Sequence, residues 1–569
     1  MRTDKLGTKF LWSLVLLTVV YQLTLFVNIS ASQVSGIFVN DQSLSIPNAI
    51  DYLIISTDQF LDELQPLVTW KSQRGLIVNT KTIETISPKY EGDSLTEKIR
   101  HCIQDYYRNN KTTWVVLAGG EDFIPSKSLL VDGVNISCDS YYGNLDNDWL
   151  IDDSEITSIV NGSEWKPEVY VGRLPADNEN QMKDLVDRII DYEKNPPPGS
   201  WMNTALFGGT FANFNSDSNN NDRFDEDDWK EFDTNRNHNW LRNNVIPSHW
   251  TSVMLGEVEG LKTTDYPYDY PTSQDNLVQL INSGAGIVQI DAHGSSTEMY
   301  RSIFAADVDG DNLFDQGEDI IASKVLISTL TEFETNGKNG LYFLAACSTG
   351  SFNEGTSLTE YIVRNSGIGC IGSSESSYYD SEIYTEDYKC WVTQGLLYRF
   401  WVRMFTEDTN HPGQALALAK DAYAEDCKLN LRNENGDLRT LTQYNLMGDP
   451  EVPIWIKTPS QLESFRINNT DQLLILSSNE PIDNAWVTLT NSTYYWRGIT
   501  NSEGKITLPN DINRFEQVNI TVSKNNFFPS QKNLSTVQIF SGVLESNSTP
   551  FSFLGIVLAV ALLARKEDN

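Results

Sequence analysis

From residue 50 to residue 405 the chain repeats one alternation: short, uninterrupted apolar runs followed by segments whose apolar residues recur with helical period. Runs of four or five apolar residues are too short for a buried helix, and without polar alternation they read as strands covered on both faces. Strands are predicted at 52–55, 76–79, 114–118, 169–171, 205–208, 286–290, 341–345 and 368–372. Helices are predicted at 60–74, 95–109, 179–192, 273–282, 357–365 and 390–405. Parallel neighbours need a crossover, and a helix is the compact way to make one. The fold class is therefore α/β, a parallel sheet flanked by helices. The sequence NPPPG at 195–199 divides it into two subdomains, 50–199 and 200–456. Beyond Pro453 the texture changes to alternating strands with Asn, Ser and Gly turns, at 472–477, 484–489, 494–499, 505–508 and 517–522. That pattern predicts a small immunoglobulin-like β-sandwich over 460–541.

Both ends carry marks of export. Arg2, Lys5 and Lys9 precede an apolar run at 10–27 and the small residues Ser30, Ala31 and Ser32, so 1–33 reads as a signal peptide and 34–49 as a linker. Residues 542–569 hold a polar stretch, an apolar run at 550–564 and the basic Arg565 and Lys566. This tail is expected to hold the protein on the cell membrane, either as a sorting signal or as a short anchor, so the protein is secreted and kept at the outer surface. Sequons at Asn110, Asn135, Asn161, Asn468, Asn491, Asn519, Asn533 and Asn547 fit an exported glycoprotein. A net charge of −35 repels phosphate backbones and excludes nucleic acid as a partner. Cys102, Cys138, Cys347, Cys370, Cys390 and Cys427 show no C-x-x-C spacing, which argues against a zinc ribbon or a thioredoxin-like motif. Six cysteines allow three disulfides, but one free catalytic thiol would leave an odd number.

Two predicted strands end in reactive residues: GIVQIDAHGSS reaches His293, and LYFLAACSTGSF reaches Cys347. Ligands of open parallel sheets sit beyond the carboxyl ends of strands, so neighbouring strands would present both side chains at one rim. A thiolate is a strong nucleophile, and an imidazole can protonate a leaving amine. The backbone N–H groups of Gly294 and Cys347 are the candidate oxyanion hole, and Gly294, lacking Cβ, would let a substrate backbone approach.

The stretches YLIISTDQF, LQPLVTWKSQRGL, WVVLAGGEDFIPS, DSYYGNLDNDW, PEVYVGRLPADNENQMKDLVDRIIDYEKNP, IVQIDAHGSS, FLAACSTGSF and YNLMGDPEVPIW resemble, in the same order, the gingipain family of caspase-like cysteine peptidases. The likeness runs from about residue 50 to 456, with the sandwich following. It implies a caspase-like fold, a His293–Cys347 dyad, Glu168 as the carboxylate that orients the histidine, and protein or peptide substrates. It also implies a substrate pocket lined from 372–380, with Tyr378 and Tyr379 as an aromatic wall and Glu375, Asp177 or Glu179 as partners for a basic side chain.

Between the two reactive strands, DVDGDNLFDQGE at 307–318 matches a calcium loop, with Asp307, Asp309, Asp311, the Leu313 carbonyl, Asp315 and Glu318 as donors. Asn312 replaces the glycine of the sharp turn. A weaker copy at 217–228 offers Asp217, Asn219, Asn221, Arg223 through its carbonyl, Asp225 and Asp228. Structural Ca2+ is the expected cofactor. The leading expectation is a calcium-stabilised cysteine endopeptidase working through a Cys347 thioester. One alternative is a non-catalytic caspase-fold surface protein for adhesion, and another is a transpeptidase of the same fold.

Overall fold

The computed structural model describes residues 49–535, except 132, 146–148, 153–154, 160–164, 217–229, 315–318, 353–354, 380–391, 408, 428–436, 468–470, 511 and 513–516. The predicted signal peptide, the C-terminal tail, the second acidic loop, Asp315, Glu318 and Cys390 lie outside the described residues.

The apolar runs become strands β1 (Tyr52–Ser56), β2 (Val78–Thr82), β3 (Trp114–Ala118) and β4 (Tyr170–Leu174) before the proline-rich break. After it come β5 (Thr204–Gly209), β6 (Thr251–Gly256), β7 (Tyr270–Pro271), β8 (Ile287–Asp291), β9 (Gly340–Ala345), β10 (Gly367–Ser373) and β11 (Tyr444–Gly448). All belong to one 11-stranded sheet in the order β7-β6-β5-β8-β9-β10-β11-β4-β3-β1-β2. The break therefore separates two halves of one sheet. Strands pair in parallel within each half. The seam is β11, antiparallel to β10 and meeting β4 where Met447 lies opposite Arg173.

The crossovers are α1 (Leu61–Gln73), α2 (Leu95–Asn110), α3 (Glu179–Lys194), α4 (Asn235–Asn244), α5 (Gln274–Ser283) and α6 (Leu358–Asn365), followed by α7 (Val392–Thr406) and α8 (Pro412–Cys427). Successive side chains of a strand point to opposite faces, so β8 splits its residues between two cores. Val288 and Ile290 pack with Leu277 and Ile281 of α5 and Leu358 and Ile362 of α6. Ile287 shares the other core with Met182 of α3 and Phe400 and Trp401 of α7. A capping box, Ser357 with Glu360, starts α6 just beyond the Cys347 loop. Among the described residues no helix is long and apolar enough to cross a membrane.

A smaller sheet stands over the rim, built from Phe211–Asn213, Phe232–Asp233, His293–Gly294, Glu298–Ala306 and Ile320–Ser328. At the C-terminal end two 4-stranded sheets enclose Leu473, Ile475, Val487, Leu489, Val518 and Ile520. This unit docks on the end of α1: Arg497 donates to the Gly75 carbonyl at 2.6 Å and to Asp51, and Ser523 donates to the Arg74 carbonyl at 2.8 Å.

Candidate active site

The register of β8 and β9 places Asp291 opposite Ala345, so the residues two beyond each end, His293 and Cys347, emerge at the same rim. The two turns touch. A Cβ on Gly294 would lie 2.8 Å from Ala346 Cβ, 2.8 Å from the Cys347 carbonyl oxygen and 3.1 Å from Thr349 Cγ2. Glycine is required there by the cysteine loop itself, a packing reason that the sequence reading did not foresee. His293 pairs with Tyr300 on the smaller sheet and stacks on its ring, with centroids 5.6 Å apart and planes 16° apart. Burial lowers the imidazole pKa from its ordinary value, and the Ala212 backbone, hydrogen-bonded to the ring, partly offsets this.

Cys347 is half-buried and unpaired, whereas Cys102, Cys138 and Cys370 are unpaired and fully buried. Burial pushes the Cys102 thiol up to about 11 and also raises those of Cys138 and Cys370. Those three are small core residues, and of these four cysteines Cys347 is the one that a substrate can reach. The loop after it turns sharply, with Ser348 at φ 56. Ser348 N–H donates to the Glu375 carbonyl at 3.0 Å and Gly350 N–H to the Ser373 carbonyl at 2.7 Å. These bonds carry the β9–β10 pairing past the strand ends. Ser377 lies beside the sulfur, its N–H 3.4 Å from Cys347 Sγ.

Of the predicted pocket residues, Tyr379 lies near Cys347. Its ring stacks on Phe232 at 5.4 Å and 11°, and burial together with neighbouring Cys347 pushes its hydroxyl up to about 12. Tyr378 accepts a hydrogen bond from Arg439 at 2.6 Å, and the Arg439 guanidinium sits 5.0 Å from its ring centre. The Glu375 carboxylate accepts from Ser376 N–H at 2.9 Å, Asp177 pairs with Arg364 at 2.9 Å, and Glu179 accepts from Gln59 at 2.9 Å. Each acidic candidate for binding a basic side chain already has a partner.

Glu168 is not brought to His293. Its carboxylate accepts the Leu145 N–H at 2.5 Å, and in the sheet β4 stands four places from β8. Arg173, near the end of β4, carries Phe352 of the cysteine loop 5.0 Å from its guanidinium. At about 3.3 Å per residue, Glu168 is on the order of 16 Å back along that strand. The groups facing the His293 ring are Ala212 and Tyr300. Sequence reasoning missed Ala212 because a backbone hydrogen bond leaves no residue-type signal. It also missed a buried chain beneath the rim, where Trp401 donates to Gln289 at 2.8 Å, Gln289 to Asp291 at 3.0 Å, and His238 lies 3.4 Å from Asp291.

The first acidic loop joins the strands Glu298–Ala306 and Ile320–Ser328, whose hairpin includes the partner of His293. Carboxylate oxygens of Asp307, Asp309 and Asp311 lie within 4.8 Å of one another, and Asn312 takes the left-handed turn at φ 66.

The sequence matches peptidase family C25 over residues 45–455. Over 259 residues it is 25% identical to Gingipain R2 of Porphyromonas gingivalis, covering 44% of this chain and 28% of that protein. Identity to Gingipain R1 of Porphyromonas gingivalis is also 25% over 259 residues, covering 44% and 21%. The matched stretch thus spans less than about a third of these relatives. The crystal structure of the Arg specific cysteine proteinase gingipain R shares the fold, with a TM-score of 0.61 and 18% identity over 87% of this chain and 100% of the other. A complex of Porphyromonas gingivalis RgpB pro- and mature domains gives 0.60 and 17% over 85% and 99%.

Proposed function

The chain belongs to peptidase family C25, and on that premise we propose that it is a cysteine endopeptidase with Cys347 as nucleophile and His293 as acid and base. The observation that carries the reading is the contact at Gly294, which leaves no room for a Cβ between the histidine turn and the cysteine loop. As neutral His293 takes the thiol proton, Cys347 Sγ attacks the carbonyl carbon of a protein or peptide substrate, forming a C–S bond as the carbonyl becomes an oxyanion. The N–H groups of Gly294 and Cys347 receive that charge. The C–N bond then breaks, His293 delivers a proton to the leaving amine, and a thioester remains. Water, deprotonated by neutral His293, attacks the thioester carbon, the C–S bond breaks, and the imidazolium returns the proton to the departing sulfur.

The signal at 1–33 and the tail at 542–569 support action outside the cell, held at its surface. Asp307, Asp309 and Asp311, with the Leu313 carbonyl, are the donors for a structural Ca2+, whose part would be to tie off the hairpin behind His293. The reading is tested with Cys347→Ala: cleavage of a peptide library should vanish while the thermal melt is retained. Undiminished cleavage would sink the assignment and favour the adhesion alternative.

A further inference from the structure

We propose that Ser377 is the group that holds the Cys347 thiolate, and that Tyr444 sets the Ser377 hydroxyl for this task. The proposal rests on Cys347 being the nucleophile.

The sulfur meets Ser377 on three sides. Ser377 N–H donates to Cys347 Sγ at 3.4 Å, the Ser377 hydroxyl lies 3.8 Å from it, and the Ser377 carbonyl is 3.5 Å away. A neutral thiol can donate to that carbonyl, whereas a thiolate can only accept, from the N–H and the hydroxyl. Deprotonation therefore gives up the carbonyl as a partner and strengthens the two donors on the same residue. No hydrogen bond joins His293 to Cys347 among the described residues. The imidazole is engaged by the Ala212 backbone and by Tyr300, and its burial favours the neutral form. The partner in reach of the sulfur is thus Ser377 and not the imidazole.

Ser377 is fixed from both sides. Behind it, the bonds from Ser348 to Glu375 and from Gly350 to Ser373 lace the 373–377 segment to the cysteine loop. Ser373 Oγ adds a bond to the Glu375 carbonyl at 2.7 Å. On the inner side stands Tyr444, fully buried, the first residue of β11 and the register partner of Ser373. Its hydroxyl shares a hydrogen bond with Thr393 at 3.0 Å and reaches the Ser377 side chain, with Cys347 close by. The chain Thr393, Tyr444, Ser377, Cys347 converges on one atom. Ser377 touches the reacting sulfur, and Tyr444 and Thr393 act through it.

The test is the pH dependence of Cys347 alkylation by iodoacetamide in the full chain, followed by peptide mapping. Ser377→Ala removes one donor to an anion, so the apparent thiol pKa should rise by about one unit, a roughly tenfold loss of thiolate at a pH below it. kcat should fall by a similar factor with KM unchanged, Ser377→Thr should restore both, and Tyr444→Phe should give a smaller shift of the same sign. Superimposable alkylation profiles for wild type and Ser377→Ala would overturn the proposal, as would a loss confined to KM. A melt unchanged in Ser377→Ala assigns the effect to the sulfur. If Cys347→Ala still cleaves peptide, the function reading fails, whereas an unshifted alkylation profile with an inactive Cys347→Ala defeats only this inference.

Discussion

Burial makes the His293 imidazolium harder to form, so the ring releases its proton below the ordinary value of 6.5. In the proposed mechanism, resolution of the thioester needs the neutral ring as base, and that form is lost only as the pH falls through the lowered pKa. The acid limb of the kcat profile should therefore be centred below pH 6.5; a limb at or above 6.5 would assign it to another group. At this scale the sequence was most legible where side-chain chemistry and position coincide. His293 and Cys347 each follow an apolar run and sit before small residues, so type and place pointed the same way. Ser377 carries no such mark, being one serine among several in GSSESSYYD, and its role comes from bonds that exist only once β10 has been extended. Glu168 shows the converse. A motif suggested its role, but it stands at the wrong end of β4 to reach the histidine.

Among the elements, the hairpin behind His293 closes through an acidic turn. Three carboxylates within 4.8 Å repel one another unless a cation neutralises them. Chelating calcium should lower Tm, by about 1 °C for each kcal/mol of binding free energy lost in a folded body of this size. Asp309→Asn should shrink that difference, and a melt indifferent to chelator would remove the ion from the account. The long parallel strands were readable because burial on both faces leaves four or five apolar letters in a row, as in Leu341–Ala345. The small sheet was not. Phe211–Asn213 and Phe232–Asp233 are three and two residues long, too short to show a period, and gain their place only by pairing near the histidine turn. β11 was likewise hidden, because Tyr444–Gly448 is a fully buried strand with polar Asn445 inside it, hydrogen-bonded to Ser137 and Asp139.

Across the whole molecule, the two halves are pinned by charge as well as by apolar packing. Lys71 of α1 is fully buried with its Nζ 2.6 Å from each of Glu193, Asp449 and Glu451, and Arg74 lies 2.8 Å from Glu193 and Glu451. Burial alone would raise the Glu451 carboxyl, yet Arg74 and Lys71 hold it down to about 2. Breaking such a set is far costlier than never building it, because charge is stranded away from water. Lys71→Met should cost about 3–5 kcal/mol, read as a lower denaturant midpoint. A midpoint within ~0.5 kcal/mol of wild type would show that the cluster relaxes around the loss. Sequence could not foresee this cluster, since its members are separated by up to 380 residues.

The position of β11 governs when the molecule comes into being. It is the last strand of the large sheet in chain order, yet it lies inside, between β10 and β4. A growing chain that has not yet delivered residue 444 holds two half-sheets with open edges, and it lacks the tyrosine behind Ser377. The proposed site would then be completed only with the final strand, so a nascent chain stays inert until its last sheet segment is in place.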